Sequence, residues 1–88
     1  MAERTFSLNV ITPEKVVYSN EVTAVTVHGS DGYLGILAQH APLITTLEPG
    51  PLCITEPDDK KVTFSVNRGI MEVRENKVVV LADAVEKP

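Results

Sequence analysis

Apolar and polar residues alternate along most of this chain with a period of two. Phe6-Ser7-Leu8-Asn9-Val10-Ile11 opens the pattern. That period marks a half-buried strand, and it turns Phe6, Leu8 and Val10 to the core. Thr12-Pro13-Glu14-Lys15 reads as a turn, with Pro13 supplying a preset φ. Val16-Val17-Tyr18 reads as a short second strand broken by Ser19-Asn20, and Thr23 to Val27 as a third with Val25 and Val27 inward. Further strands are predicted over Tyr33 to Leu37, Leu52 to Thr55, Val62 to Val66, Ile70 to Val73 and Val78 to Ala82. Val62, Phe64 and Val66 alternate inward. No stretch shows the 3.6-residue period of an amphipathic helix. Turn signals recur at the spacing of a sandwich or barrel, and β-branched residues dominate the runs between them. The chain is therefore expected to be all-β, a β-sandwich of about eight to ten short strands. It forms one domain over 1–88, with the strands within about 5–82 and a terminal tail over 83–88.

One stretch, His28 to Thr45, carries most of the irregularity. It holds Gly29, Gly32 and Gly35, both histidines and Pro42. Gly29-Ser30-Asp31-Gly32 is a tight hairpin turn in which glycine accommodates positive φ. Gly35 inside the following strand signals a bulge or a close backbone approach. His40-Ala41-Pro42 then breaks the ladder, because Pro42 has no N–H and pushes Ala41 towards extended geometry. Further on, Glu48-Pro49-Gly50 predicts a type II turn with positive φ at Gly50. Glu56 to Lys61 is a charged hairpin tip, and Arg74-Glu75-Asn76-Lys77 is the last turn.

Composition narrows the function. A chain of 88 residues buries only about 60% of the surface it exposes when unfolded, so its stability margin is modest. The net charge is −4 and the eight Lys and Arg are scattered, which argues against nucleic acid. One cysteine makes no internal disulfide, and with no apolar leader segment the simplest reading is a cytosolic chain. No apolar run approaches the roughly 20 residues that span a bilayer. Any membrane association is expected only through a partner.

Candidate chemistry is sparse. His28, His40 and Cys53 lack the short ligand spacing of a zinc site and the order of a blue-copper site. Cys53, within Leu52-Cys53-Ile54, is expected to be a small, inert core residue without a neighbouring base. Gly29 to Gly32 has an acid where a phosphate would sit and no helix after it. No catalytic residue, cofactor or metal is expected. A lysine at the 56–61 tip would suit a lipoate or biotin carrier, but Lys60 and Lys61 are tandem and such charge runs are mostly solvated. His40 stands out. Beside Pro42 and between apolar runs it either satisfies local backbone groups or lies in an interface, and the two are compatible.

The run Gly29-Ser30-Asp31-Gly32-Tyr33-Leu34-Gly35-Ile36-Leu37, then His40-Ala41-Pro42-Leu43-Ile44-Thr45, then Leu47-Glu48-Pro49-Gly50, resembles the N-terminal domain of the epsilon subunit of F-type ATP synthase. Phe6 to Pro13, Gly69 to Val73 and Val78 to Ala84 add to the resemblance, which spans almost the whole chain in order. Gln39 stands where the family often has glycine, and Glu48 where it often has a basic residue. The resemblance implies a β-sandwich of about ten strands at the foot of a rotating central stalk, with no chemistry of its own. It implies that His40, Ala41, Pro42, Leu43 and Thr45 face the gamma subunit. Asp31, Gly32 and Tyr33 are implied to face the ring of c subunits. It also implies a peripheral place at the cytoplasmic face of an energy-transducing membrane, most simply a bacterial inner membrane, reached through the complex. Family members commonly continue into a C-terminal helical hairpin; this sequence stops at Pro88, whether the natural protein lacks the hairpin or goes on into it, so the hairpin's regulatory role is not carried over.

Overall fold

A computed structural model describes residues 4–87. Residues 1–3 and 88 of the expected single domain lie outside this range. Period-two alternation becomes ten strands: β1 (Phe6–Ile11), β2 (Val16–Val22), β3 (Ala24–Gly29), β4 (Gly32–Leu37), β5 (Leu43–Leu47), β6 (Gly50–Glu56), β7 (Lys60–Val66), β8 (Gly69–Arg74), β9 (Lys77–Ala82) and β10 (Val85–Glu86). The one helical segment among the described residues is a 3-10 turn, Pro57–Asp59, between β6 and β7.

The strands form one hydrogen-bonded path in the order β10-β7-β6-β3-β5-β8-β9-β1-β2, with β4 pairing β3. The link from β3 to β5 is a single pair, Gly29 with Leu47. The path folds over there, so β10-β7-β6-β3-β4 and β5-β8-β9-β1-β2 form the two layers of a sandwich. Inward residues of both layers make one core that includes Phe6, Leu8, Val10, Val25, Val27, Phe64 and Met71. Val62 is half-buried and packs against its edge. No polar side chain is buried among the described residues, so the core carries no desolvation cost for polar groups.

Several local expectations change. Ser19-Asn20 do not break β2, which pairs antiparallel with β1 from Phe6–Val22 to Ile11–Val16. These polar residues lie on an exposed edge strand, and Ser19 Oγ donates to Asn9 Oδ1 at 2.8 Å. Leu43–Leu47 is a strand that the sequence pattern did not reveal. The tail is not free of structure either, since Val85 and Glu86 pair with Val66 and Ser65 of β7. Gly35 makes no bulge; it pairs in register with Thr26, and a Cβ there would meet open space. Of the glycines only Gly32 has positive φ, at 116°. Gly50 therefore opens β6 without a type II turn. The left-handed positions are instead Gln39, Asp58, Asp59, Glu75 and Asn76. Glu75-Asn76 thus form the two-residue β8–β9 turn with positive φ at both centres. Cys53 is exposed, because alternation along β6 points Leu52 and Ile54 inward and Cys53 out.

A polar clasp ties Tyr18 of β2, and Thr23 between β2 and β3, to the end of β6. Thr23 N and Oγ1 both donate to the Thr55 carbonyl, at 2.8 and 3.1 Å. Tyr18 O–H donates to Glu56 Oε2. Burial, then this bond to a carboxylate, push the Tyr18 phenol up to about 12 from 10.0. The folded value exceeds the unfolded one, so the Tyr18–Glu56 bond stabilises fully below pH 10 and is lost as pH rises towards 12. Allowing for solvent screening, its loss is expected to cost about 1 kcal/mol. Urea unfolding at pH 9 and pH 12 checks this: wild type should lose that much more stability than Tyr18→Phe, and equal losses would disprove it.

Candidate functional site

The β3–β4 hairpin turn and the bend before β5 lie at opposite ends of β4, which runs from Gly32 to Leu37. Gly29 pairs with Gly32, leaving Ser30-Asp31 as a two-residue tip. Positive φ at Gly32 is what lets so short a loop match the strand twist. Asp31 is exposed, and so is Tyr33, at 68%.

After β4 the chain turns through Ala38-Gln39. Gln39 takes φ 64°, a left-handed conformation that costs a residue with a Cβ. Glycine at this position would be free of that strain. Here the bend is held by a distant side chain: Gln39 N donates to Asn76 Oδ1 at 2.8 Å, and Asn76 Nδ2 donates to the Thr5 carbonyl at 2.9 Å. His40 is half-buried, and its Nδ1–H donates to the Ala41 carbonyl at 2.7 Å, since a carbonyl only accepts. This fulfils the local-backbone reading of His40. Ala41 and Pro42 are exposed, Leu43 packs against the core, and Thr45 is half-buried.

The structure brings the two predicted residue sets into contact with one depression of ≈160 Å³. It is lined by Gly29, Asp31, Gly32, Tyr33, Leu34, Leu43 and Thr45. His40, Ala41 and Pro42 do not line it. They rim the bend beyond.

Sequence reasoning missed an exposed apolar row beside the bend. Ile44 is 71% exposed on β5. On the same outer face, Thr46, Ile70, Leu81 and Ile11 are successive cross-strand partners over β5, β8, β9 and β1. Ile70 and Leu81 are 46% and 51% exposed, and with Ile11 and Pro13 they line an open hollow of ≈510 Å³. The signal was present as outward positions in alternating strands, but pairing across the sheet was needed to join them.

Chemistry is not assembled anywhere comparable. Among the described residues, no three His, Cys, Asp or Glu side chains gather to hold a metal. At the β6–β7 tip, the apex is Asp58-Asp59, while Lys61 Nζ is engaged by Asp59 Oδ1 at 2.9 Å and Thr55 Oγ1 at 3.3 Å. Both lysines follow the apex, at the start of β7.

Fold and surface together define a small β-sandwich domain with an exposed apolar face and no assembled catalytic cluster among the described residues. The chain belongs to the family of ATP synthase delta/epsilon chain β-sandwich domains, whose profile matches residues 5–88. It is 48% identical over 88 residues to the ATP synthase epsilon chain of Desulforudis audaxviator, covering all of this chain and 64% of that one. It is 45% identical over 84 residues to that of Desulforamulus reducens, covering 96% of this chain and 63% of that one. The chain thus spans a little under two thirds of these relatives' length. A chain in the cryo-EM structure of the Euglena gracilis mitochondrial ATP synthase, OSCP/F1/c-ring, superposes with a TM-score of 0.91 at 20% identity, over 99% of this chain and 56% of that one. One in the Tetrahymena thermophila mitochondrial ATP synthase central stalk/c-ring gives 0.79 at 19% identity, over 99% and 69%. These two likenesses confirm the fold. Among the described residues, no helix is long and apolar enough to cross a membrane.

Proposed function

We propose that this chain is the β-sandwich part of a non-catalytic central-stalk subunit of a proton-translocating F-type ATP synthase. In this reading it binds gamma and the c-ring and helps couple ring rotation to ATP synthesis, at the cytoplasmic face of the membrane and only through the complex. The observation that carries it is 48% identity, along the whole chain, to an ATP synthase epsilon chain. Gamma is met by His40, Ala41, Pro42, Leu43 and Thr45, and the exposed row Ile44, Ile70 and Leu81 extends that side. The c-ring is met by Asp31, Gly32 and Tyr33. Exposure of Asp31, Tyr33, Ala41 and Pro42 supports both assignments, as does the bend that sets Pro42 outward. A stiff body suits a rotor collar, and contacts on turns leave its core undisturbed.

Replacing His40-Ala41-Pro42 by Gly-Ser-Gly is expected to weaken gamma binding about tenfold or more, as loss of a central anchor does. The same replacement of Asp58-Asp59-Lys60 should leave it unchanged. Titration calorimetry with purified gamma checks this. Equal losses would place the interface elsewhere, and no binding by the folded wild-type chain would end the reading.

A further inference from the structure

His28 and Tyr33 are direct cross-strand partners on β3 and β4. Their rings stack with centroids 4.9 Å apart and planes 22° apart. The imidazole in turn rests on the loop between β5 and β6. Its Nδ1 lies 3.3 Å from the Pro49 carbonyl oxygen, which only accepts, so Nδ1 carries the proton and donates. Glu48 N donates to the His28 carbonyl at 2.9 Å. Gly50 completes the seat. A Cβ there would come within 3.1 Å of His28 Cβ and 3.2 Å of Nδ1, so glycine stands here for room and not for an unusual φ. The imidazole is thereby held between the Pro49-Gly50 backbone and the phenol ring.

Tyr33 needs such support. At 68% exposure it has little else to fix its rotamer, and a mobile side chain loses entropy when a partner orders it. An offset aromatic stack removes part of that cost beforehand. We propose that His28 is a positioning residue that holds Tyr33 as a fixed aromatic face towards the c-ring. The inference rests on the reading of the Asp31–Tyr33 turn as the ring contact. It adds that the Pro49-Gly50 turn acts on that contact through His28.

The test uses the whole chain as wild type, His28→Ala, His28→Phe and Tyr33→Ala. The first readout is the ring-proton NMR resonances of Tyr33, and the second is binding to a detergent-solubilised bacterial ATP synthase c-ring carrying gamma. His28→Ala should move the Tyr33 resonances to those of a solvated tyrosine and weaken ring binding about 3- to 10-fold, with melting temperature and binding to isolated gamma unchanged. His28→Phe, which keeps a flat ring under Tyr33, should restore both. Unmoved resonances in His28→Ala would overturn the positioning role, whatever the binding. So would moved resonances with unchanged ring binding, provided that Tyr33→Ala weakens it. If Tyr33→Ala binds the ring as wild type does, the ring-contact reading falls, while the resonances alone still decide whether His28 holds Tyr33.

Discussion

Gly69→Ala is expected to destabilise the fold by about 3 kcal/mol or more, enough to unfold much of so small a domain. Gly69 begins β8 and pairs with Leu47 of β5 on one side and Ala82 of β9 on the other. A Cβ at this position would lie 2.2 Å from the Leu81 carbonyl oxygen and 3.0 Å from Ala82 Cα. Both obstacles are backbone, so no rotamer change relieves the overlap; β8 and β9 must separate. The damage would spread, because Leu47 also makes the single pair with Gly29 that joins the two layers. Gly29→Ala is the matched control. Its Cβ would meet its nearest neighbour, the Gly32 carbonyl, at 3.4 Å, an ordinary contact, and φ there is not left-handed. It should cost no more than about 1 kcal/mol. Urea denaturation of both variants decides the matter; similar losses would mean that the β8–β9 approach is not the constraint.

Phe64→Ala should cost about 3–5 kcal/mol. Phe64 is 3% exposed in the core and meets the Tyr18 ring edge-on at 5.9 Å, across the layers. Truncation leaves a cavity between the sheets and removes an aromatic contact beside the Tyr18–Glu56 clasp. Cys53→Ala, on the outer face of neighbouring β6, should change stability by less than about 0.5 kcal/mol. If the two variants unfold at the same urea concentration, the inward and outward assignments of β6 and β7 are reversed.

These contrasts show where the sequence is readable. Alternation alone places Phe6, Leu8, Val10, Val25, Val27, Phe64 and Val66 inside, because one face of each strand must leave water. It would have placed Cys53 outside as well. Only the apolar neighbours Leu52 and Ile54 suggest a buried thiol. The strand Leu43–Leu47 was hidden behind Pro42, whose break in the ladder is genuine but lasts only until Leu43. Val85–Glu86 is too short to carry a period. At the candidate site, Pro42 and the glycine turn are visible locally. What holds the bend is not: Asn76 reaches Gln39 from another hairpin, and no local pattern announces a contact over that separation.

The topology also bears on how the polypeptide matures. The first strand is parallel to the ninth, with Ser7 opposite Lys77 and Ile11 opposite Leu81. Closing so wide a loop is slow, since its entropy is lost before any contact repays it. On the ribosome, Phe6 to Ile11 must therefore wait with one edge unpaired until Lys77 to Leu81 have been made. Nascent chains stalled before Lys77 should stay protease-sensitive, and resistance should arrive abruptly once Leu81 has cleared the exit tunnel.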